Sequence, residues 1–118
     1  MTYHESYEFC SLYGGILGEP RSSTQTQDIN ELLDYDNNYW IGLTDVNIEG
    51  VFVRNSDGKD TNDYENWATN GNSSEPSGDG NCVHLYHGHD EKWNDEDCKW
   101  MEIYNRPILA LCQKTTFF

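Results

Sequence analysis

The chain has 118 residues, which fits a single domain spanning 1–118, and its aromatic content of 14% is too high for a disordered tail. The net charge is −14, from 21 acidic and 7 basic residues, so nucleic acids and anionic membrane surfaces are excluded as partners because both require a positive surface. No apolar run approaches the roughly 20 residues of a membrane helix, which argues against membrane insertion.

Two helices are predicted in the first 35 residues. Thr2 and Glu5 form a capping-box pattern, and apolar or aromatic residues then recur at helical spacing until Gly14 ends the first helix. Ser22 and Gln25 repeat the capping pattern. The second helix carries an apolar stripe formed by Ile29, Leu32 and Leu33.

After residue 38 the pattern changes to short strands. Strands are predicted at residues 39–43, 51–54, 82–86 and 108–112, and a further strand begins at Trp93. Residues 55–81 form a long tract rich in Asn, Asp, Ser and Gly, and a loop of this length in a small domain is usually functional or disordered. Two helices followed by short strands around one long loop predict an α+β fold.

The four cysteines indicate an oxidising compartment, so we expect a secreted or extracellular protein. Three pairings are possible. We favour Cys10–Cys112 with Cys82–Cys98, because this pairing ties the chain ends together and closes one internal loop. The tripeptide 72–74, Asn-Ser-Ser, matches an N-glycosylation acceptor and agrees with the same compartment.

Oxygen donors cluster in the long loop and just after the strand that follows it: Glu75, Ser77, Asp79, Asn94 and Asp95. Calcium prefers six to eight oxygen ligands mixed between carboxylates, amide carbonyls and water. Hard oxygen donors from two segments, with no cysteine among them, favour calcium over a transition metal.

These residues also carry a family resemblance. The chain resembles a C-type lectin-like domain through WIGL at 40–43, EPS at 75–77, WND at 93–95 and the positions of its four cysteines. The resemblance covers nearly the whole chain. It implies two helices, short antiparallel sheets, a long calcium-binding loop and the two disulfides favoured above, in one carbohydrate-recognition domain over residues 1–118.

The resemblance further implies a non-enzymatic, calcium-dependent function in binding glycans or free monosaccharides. In the family, two adjacent sugar hydroxyls complete the coordination of a loop calcium and hydrogen-bond the side chains that hold it. Carried over to this chain, both roles fall to Glu75, Ser77, Asn94 and Asp95. EPS differs from the family's EPN and QPD motifs, and galactose is slightly favoured over mannose or fucose.

The chain departs from the family pattern at several positions. Gly80 stands where a glutamate is usual, which leaves Asp79 as the expected substitute ligand. Asp45, Glu49 and Asn81 match positions that bind a second calcium in some members. A polar turn is the alternative interpretation of that segment.

Three further questions concern ligands and assembly. His84, His87 and His89 raise the alternative of a zinc hydrolase, although exposed polar histidines are the simpler interpretation. The main competitor is a C-type lectin-like domain that binds a protein, mineral or ice surface without sugar. Trp67 and Trp93 are expected in the core, the role of Trp100 is left open, and avidity would require a homo-oligomer.

Overall fold

The computed structural model describes residues 1–33, 37–70, 73–74, 80–85, 92–103 and 105–114. Helix α1 is Tyr3–Leu12, and its predicted capping box is confirmed, since Thr2 N donates to Glu5 Oε1 at 2.8 Å and Glu5 N donates to Thr2 Oγ1 at 3.2 Å. These bonds satisfy backbone donors that have no partner within the helix. The helix ends before Gly14, whose φ of 76° is the left-handed conformation that favours glycine.

Helix α2 is Ser23–Leu32, and Ser22 caps it by accepting from Gln25 N at 3.1 Å. The predicted apolar stripe is only partly correct. Ile29 and Leu33 pack against the core, whereas Leu32 is 82% exposed. The prediction was wrong for Leu32 because helical periodicity fixes a face of the helix and does not say how far the neighbouring strands extend beneath it.

The described residues form ten strands, the first of which lies between the two helices: β1 Gly15–Leu17, β2 Asn38–Thr44, β3 Val53–Arg54, β4 Thr69–Asn70, β5 Ser73–Ser74, β6 Cys82–Leu85, β7 Trp93–Glu96, β8 Glu102–Ile103, β9 Arg106–Ala110 and β10 Cys112–Lys114. The main sheet has the order β7-β6-β2-β9-β8, with β3 also paired to β2. Most pairs are antiparallel, while β2 and β9 run parallel. Strands β1 and β10 form a separate two-stranded sheet, as do β4 and β5. The predicted α+β class is confirmed.

Two predicted strands differ from the structure. Residues 51–54 contribute only Val53–Arg54 to a strand, and residues 108–112 are divided between β9 and β10. The division occurs because the chain changes sheets at Leu111, whose amide donates to Trp40 O at 3.3 Å. An additional strand, β8, lies between Cys98 and Cys112 and forms a hairpin with β9.

The core consists of two clusters on the two faces of the main sheet. Trp40, Cys10 and Ile108 belong to one cluster, and Trp93 and Ile41 belong to the other. Both favoured disulfides are confirmed, Cys10–Cys112 with a sequence separation of 102 and Cys82–Cys98 with a separation of 16. The second bridge ties β6 to the segment after β7, the region in which the sequence predicts the ligands.

Candidate calcium and carbohydrate site

Three strand ends meet at one end of the main sheet. Thr44 at the end of β2 pairs with Cys82 at the start of β6, and Cys82 pairs with Glu96 at the end of β7. The segments 45–49, 80–81 and 94–95 therefore lie beside this three-residue row, although they are far apart in the sequence. The sheet brings the described parts of both predicted calcium sites to the same end.

Asn94 and Asp95 lie on β7 and are nearly inaccessible to solvent, with 7% and 3% exposure. They are opposite His84 and Val83 in the register, so Asn94 shares a face with Trp40 and Asp95 shares a face with Ile41. The Asn94 Nδ2 atom has no hydrogen-bond partner among the described residues. Burying an amide donor without a partner costs about 1–3 kcal/mol, which fits a residue whose partner is a ligand.

Gly80 shows why the usual glutamate is absent from this chain. A Cβ atom at Gly80 would fall on the backbone of Glu96 and Asp97, so only glycine fits at this close approach. Gly80, which follows residues 75–79 in the sequence, is thereby packed against the strand that carries Asp95. A glutamate at position 80 is incompatible with this packing, and the missing carboxylate cannot come from there.

The residues of the predicted second calcium site are only partly assembled. Asp45 N donates to Asn81 O at 3.1 Å, and Asp45 Oδ2 accepts from Gly50 N at 2.8 Å. Asp45 is buried and its Oδ1 has no hydrogen-bond partner within the described part of the chain. The side chains of Glu49 and Asn81 are exposed. The segment thus contains a turn held by Asp45, together with one buried carboxylate oxygen available to a cation.

Several predicted residues lie outside the part of the chain that the structure describes: Glu75, Ser77, Asp79, His87 and His89. Among the described residues alone, no three His, Cys, Asp or Glu side chains form a group that could hold a metal ion. The donors that are described, two carboxylates and an amide, have the oxygen chemistry that calcium prefers. They fit calcium only if oxygens from outside the described ranges complete the shell.

His84 was expected to be an exposed polar residue, and this expectation was wrong. It is buried in β6, with its ring edge-on to Trp40 at a centroid distance of 5.9 Å. The register of β6 places it in the sheet interior, where it pairs with Trp40 and Asn94. His84 therefore packs in the core.

The tryptophans of the long tract and of β7 support this end of the sheet. Trp93 is fully buried, which confirms it as a core residue. Trp67 is only partly buried and packs edge-to-face on Trp93 at 5.3 Å, at the margin of the core. Trp93 N also donates to Asn66 O, and Ala68 N donates to Trp93 O, both at 2.9 Å. These bonds attach the middle of the long tract, at Asn66 and Ala68, to the edge strand β7.

This sheet arrangement, with two helices, two disulfides and WND on an edge strand, is that of a C-type lectin-like domain. The chain matches the family described as "Lectin C-type domain" over residues 1–113. It belongs to the C-type lectin domain family. The family consists of non-enzymatic lectins and tetranectin-like proteins, so the domain is not an enzyme.

Similar proteins agree with this assignment. Mouse tetranectin is 33% identical over 103 residues, which are 83% of this chain and 50% of tetranectin. The chain spans about half the length of the curated relatives it matches. The cow CD23 carbohydrate-recognition domain, crystallised in the presence of GlcNAc2Man3 oligosaccharide, is 28% identical with a TM-score of 0.71, covering 84% of this chain and 72% of that one.

The fold is shared more widely than the ligand chemistry. A calcium-independent type II antifreeze protein is 22% identical with a TM-score of 0.72, covering 85% of this chain and 72% of that one. Fold similarity alone therefore does not establish a calcium site.

Separately, the described helices include none with the length and apolar character needed to cross a lipid bilayer.

Proposed function

We propose that this domain binds carbohydrate in a calcium-dependent manner at the sheet end formed by β2, β6 and β7. The observation that carries the proposal is Asn94, which is buried in the WND segment with an unpaired amide nitrogen. Such a donor suits a sugar hydroxyl, because a hydroxyl oxygen can accept from the amide while the amide oxygen faces a cation.

The site would draw on two segments of this chain, 75–79 and 94–95. We propose Glu75, Ser77, Asn94 and Asp95 as calcium ligands and sugar contacts, with Asp79 as a further ligand. The Gly80 contact supports this arrangement, since it holds the residue after the 75–79 loop against Glu96, next to Asp95. A calcium ion bound there would offer coordination positions to two adjacent sugar hydroxyls.

We also propose a second, weaker calcium position at Asp45, Glu49 and Asn81. The buried Oδ1 of Asp45 without a partner in the described ranges supports it, as does the hydrogen bond that joins Asp45 to Asn81. Both side chains that would accompany Asp45 are exposed, so they would have to reorient on binding. If this segment is an ordinary polar turn, it will not bind calcium.

The ligand class is a glycan or monosaccharide with vicinal hydroxyls, and a galactose type is favoured over mannose or fucose. The sequence similarity to the cow CD23 domain, which was crystallised with an oligosaccharide, supports a sugar ligand. The EPS segment supports the galactose preference. The two disulfides support a secreted or extracellular location, and a single weak site supports assembly into several copies.

The decisive experiment for the ligand is a glycan array probed first with calcium and then with EDTA. We expect binding to terminal galactosides with calcium and its loss with EDTA, because the ligand carboxylates alone leave the hydroxyls without a cation. No binding to any glycan would instead favour a domain that recognises a protein, mineral or ice surface. Glycan binding that is unaffected by EDTA would contradict the calcium-dependent site.

A further inference from the structure

The segment between Cys98 and Cys112 forms a second recess that the site above does not use. It has a volume of about 620 Å³ and is lined by Lys99, Trp100, Met101, Glu102 and Asn105. This volume lies within the range of about 300–1,000 Å³ that is usual for small-molecule sites. We refer to these five residues as the Trp100 recess.

The backbone of the Trp100 recess is firmly held. Lys99 N donates to Asp97 Oδ1 at 2.9 Å, and Trp100 N donates to Asp97 O at 3.1 Å. Ile108 N donates to Met101 O at 2.9 Å, and Ile103 is buried in the core. The exposed side chains thus stand on a hydrogen-bonded backbone beside a buried core residue, and such preorganisation reduces the entropy lost when a ligand binds.

Two large apolar side chains face solvent on this base. Trp100 is 51% exposed and Met101 is 57% exposed. Trp40 and Trp93, by contrast, are fully buried. The core of this domain thus accepts two tryptophans but leaves the Trp100 indole exposed. Exposed indoles are a feature of binding surfaces, where the ring supplies contact area at a low entropic cost.

The polar groups of the recess offer both kinds of hydrogen bond. Lys99 can donate, Glu102 can accept and Asn105 can do both. Such a set around an indole matches a pyranose, which has an apolar C–H face and a rim of hydroxyls. In a galactopyranoside the axial 4-hydroxyl lies on one face, which leaves the opposite face richest in C–H groups.

Asn105 provides an independent observation at the same place. Its φ of 62° lies in the left-handed region, and it is the only non-glycine residue in the described ranges with a positive φ. Asparagine tolerates this conformation better than most residues, yet glycine would adopt it with less strain. An asparagine at this turn therefore keeps a polar amide in the recess where glycine would suit the backbone better.

We propose that the Trp100 recess is a second carbohydrate position, which stacks the C–H face of a galactopyranoside on Trp100 and requires no calcium. The choice of a sugar as ligand rests on the proposed function, but the position and its independence of calcium do not. Lys99, Glu102 and Asn105 bind the hydroxyl rim, while Met101 widens the apolar floor.

The first test measures iodide quenching of tryptophan fluorescence in EDTA with methyl β-D-galactopyranoside as the probe. Trp100 is the most exposed tryptophan, so quenching reports mainly on its indole. We expect the galactoside to protect the fluorescence from iodide in a saturable way. Absence of protection at millimolar sugar, the range for a weak single site of about 1 mM affinity, overturns the proposal.

The second test uses saturation-transfer NMR with the same sugar in EDTA. We expect Trp100→Ala to abolish the signal and Asn105→Gly, which keeps the turn, to weaken binding at least about fivefold. The matched control is Tyr13→Ala, which removes an exposed aromatic residue outside the recess. An unchanged signal in Trp100→Ala overturns the proposal.

The two positions are distinguished by Asn94→Asp. This variant should keep the calcium-independent signal while losing retention that requires calcium. Loss of the signal in EDTA on Asn94→Asp would place the sugar at the first site and overturn the second position. If the glycan array shows no binding in calcium but the saturation-transfer signal is present in EDTA, the calcium site is contradicted and the second position is supported.

Discussion

Individual residues at the sheet end show how the proposed site depends on single atoms. Asn94 is buried and its Nδ2 lacks a partner among the described residues. The amide NH2 is therefore better suited to binding a ligand than to stabilising the fold. Its neighbour Asp95 is also buried. A buried amide donor on an edge strand would be costly in a domain with no ligand to satisfy it.

Asn94→Asp should abolish retention on a galactose column in calcium while leaving the fold intact. The substitution removes the NH2 group, which supplies both hydrogen-bond donors of this side chain, and keeps its volume. The measurement is the elution volume, with circular dichroism as the check on folding. Glu96→Gln, two residues along β7, is the matched control and should elute as the wild type does. Unchanged elution of Asn94→Asp would mean that the sugar binds elsewhere.

Gly80→Ala should lower the free energy of unfolding by about 1–3 kcal/mol, because the added Cβ collides with the backbone of Glu96 and Asp97. Urea unfolding in EDTA measures the effect without a contribution from calcium. Asn81→Ala, at the adjacent exposed position, is the control and should change stability by no more than about 0.5 kcal/mol. Equal stability of Gly80→Ala and wild type would refute the close approach.

The partly buried hydroxyl of Tyr3 should make the fold less stable at alkaline pH. Burial raises the pKa of its hydroxyl from 10.0 to about 12, and a hydrogen bond from Asn55 offsets part of this rise. A raised folded-state pKa contributes stability that is complete below pH 10 and is lost as the pH approaches 12. Urea midpoints at about pH 9 and about pH 11 should therefore differ less in Tyr3→Phe than in wild type. An equal difference in both proteins would rule out this assignment.

Secondary-structure elements were predictable where a local signal fixes them. The capping residues Thr2 and Ser22 mark both helix starts, and the apolar run around Trp40 marks the central strand. Strand β8 and the break at Leu111 were not predictable, because both depend on which sheet the chain joins after Cys98. Tertiary pairing decided these boundaries and local propensity did not.

The disulfides join elements over very different spans, and the two bridges should stabilise the fold unequally. In the chain-entropy model, closing the loop of separation 102 contributes about 4.7 kcal/mol and closing that of separation 16 contributes about 3 kcal/mol. Replacing Cys10 and Cys112 by alanine should then lower the urea midpoint more than replacing Cys82 and Cys98. The reverse order would show that local packing outweighs loop closure.

At the scale of the whole molecule, the sequence motifs identified the family but only part of the site could be placed. The row of Thr44, Cys82 and Glu96 shows why residues from three segments meet. The backbone contact at Gly80 could not be read from the sequence, because a glycine at a usual glutamate position looks only like a lost ligand. The Trp100 recess was equally hidden, since it needs the β8–β9 hairpin to bring Asn105 beside Trp100.

The net charge of −14 favours cation binding by the whole domain, but only a specific site gives saturation at a defined stoichiometry. Calcium binding at the sheet end is best measured by isothermal titration of calcium into the metal-free protein, with Asp95→Asn as the comparison. We expect at least one saturable site in wild type and binding at least about tenfold weaker in the variant. A flat thermogram for the wild-type protein would contradict this expectation.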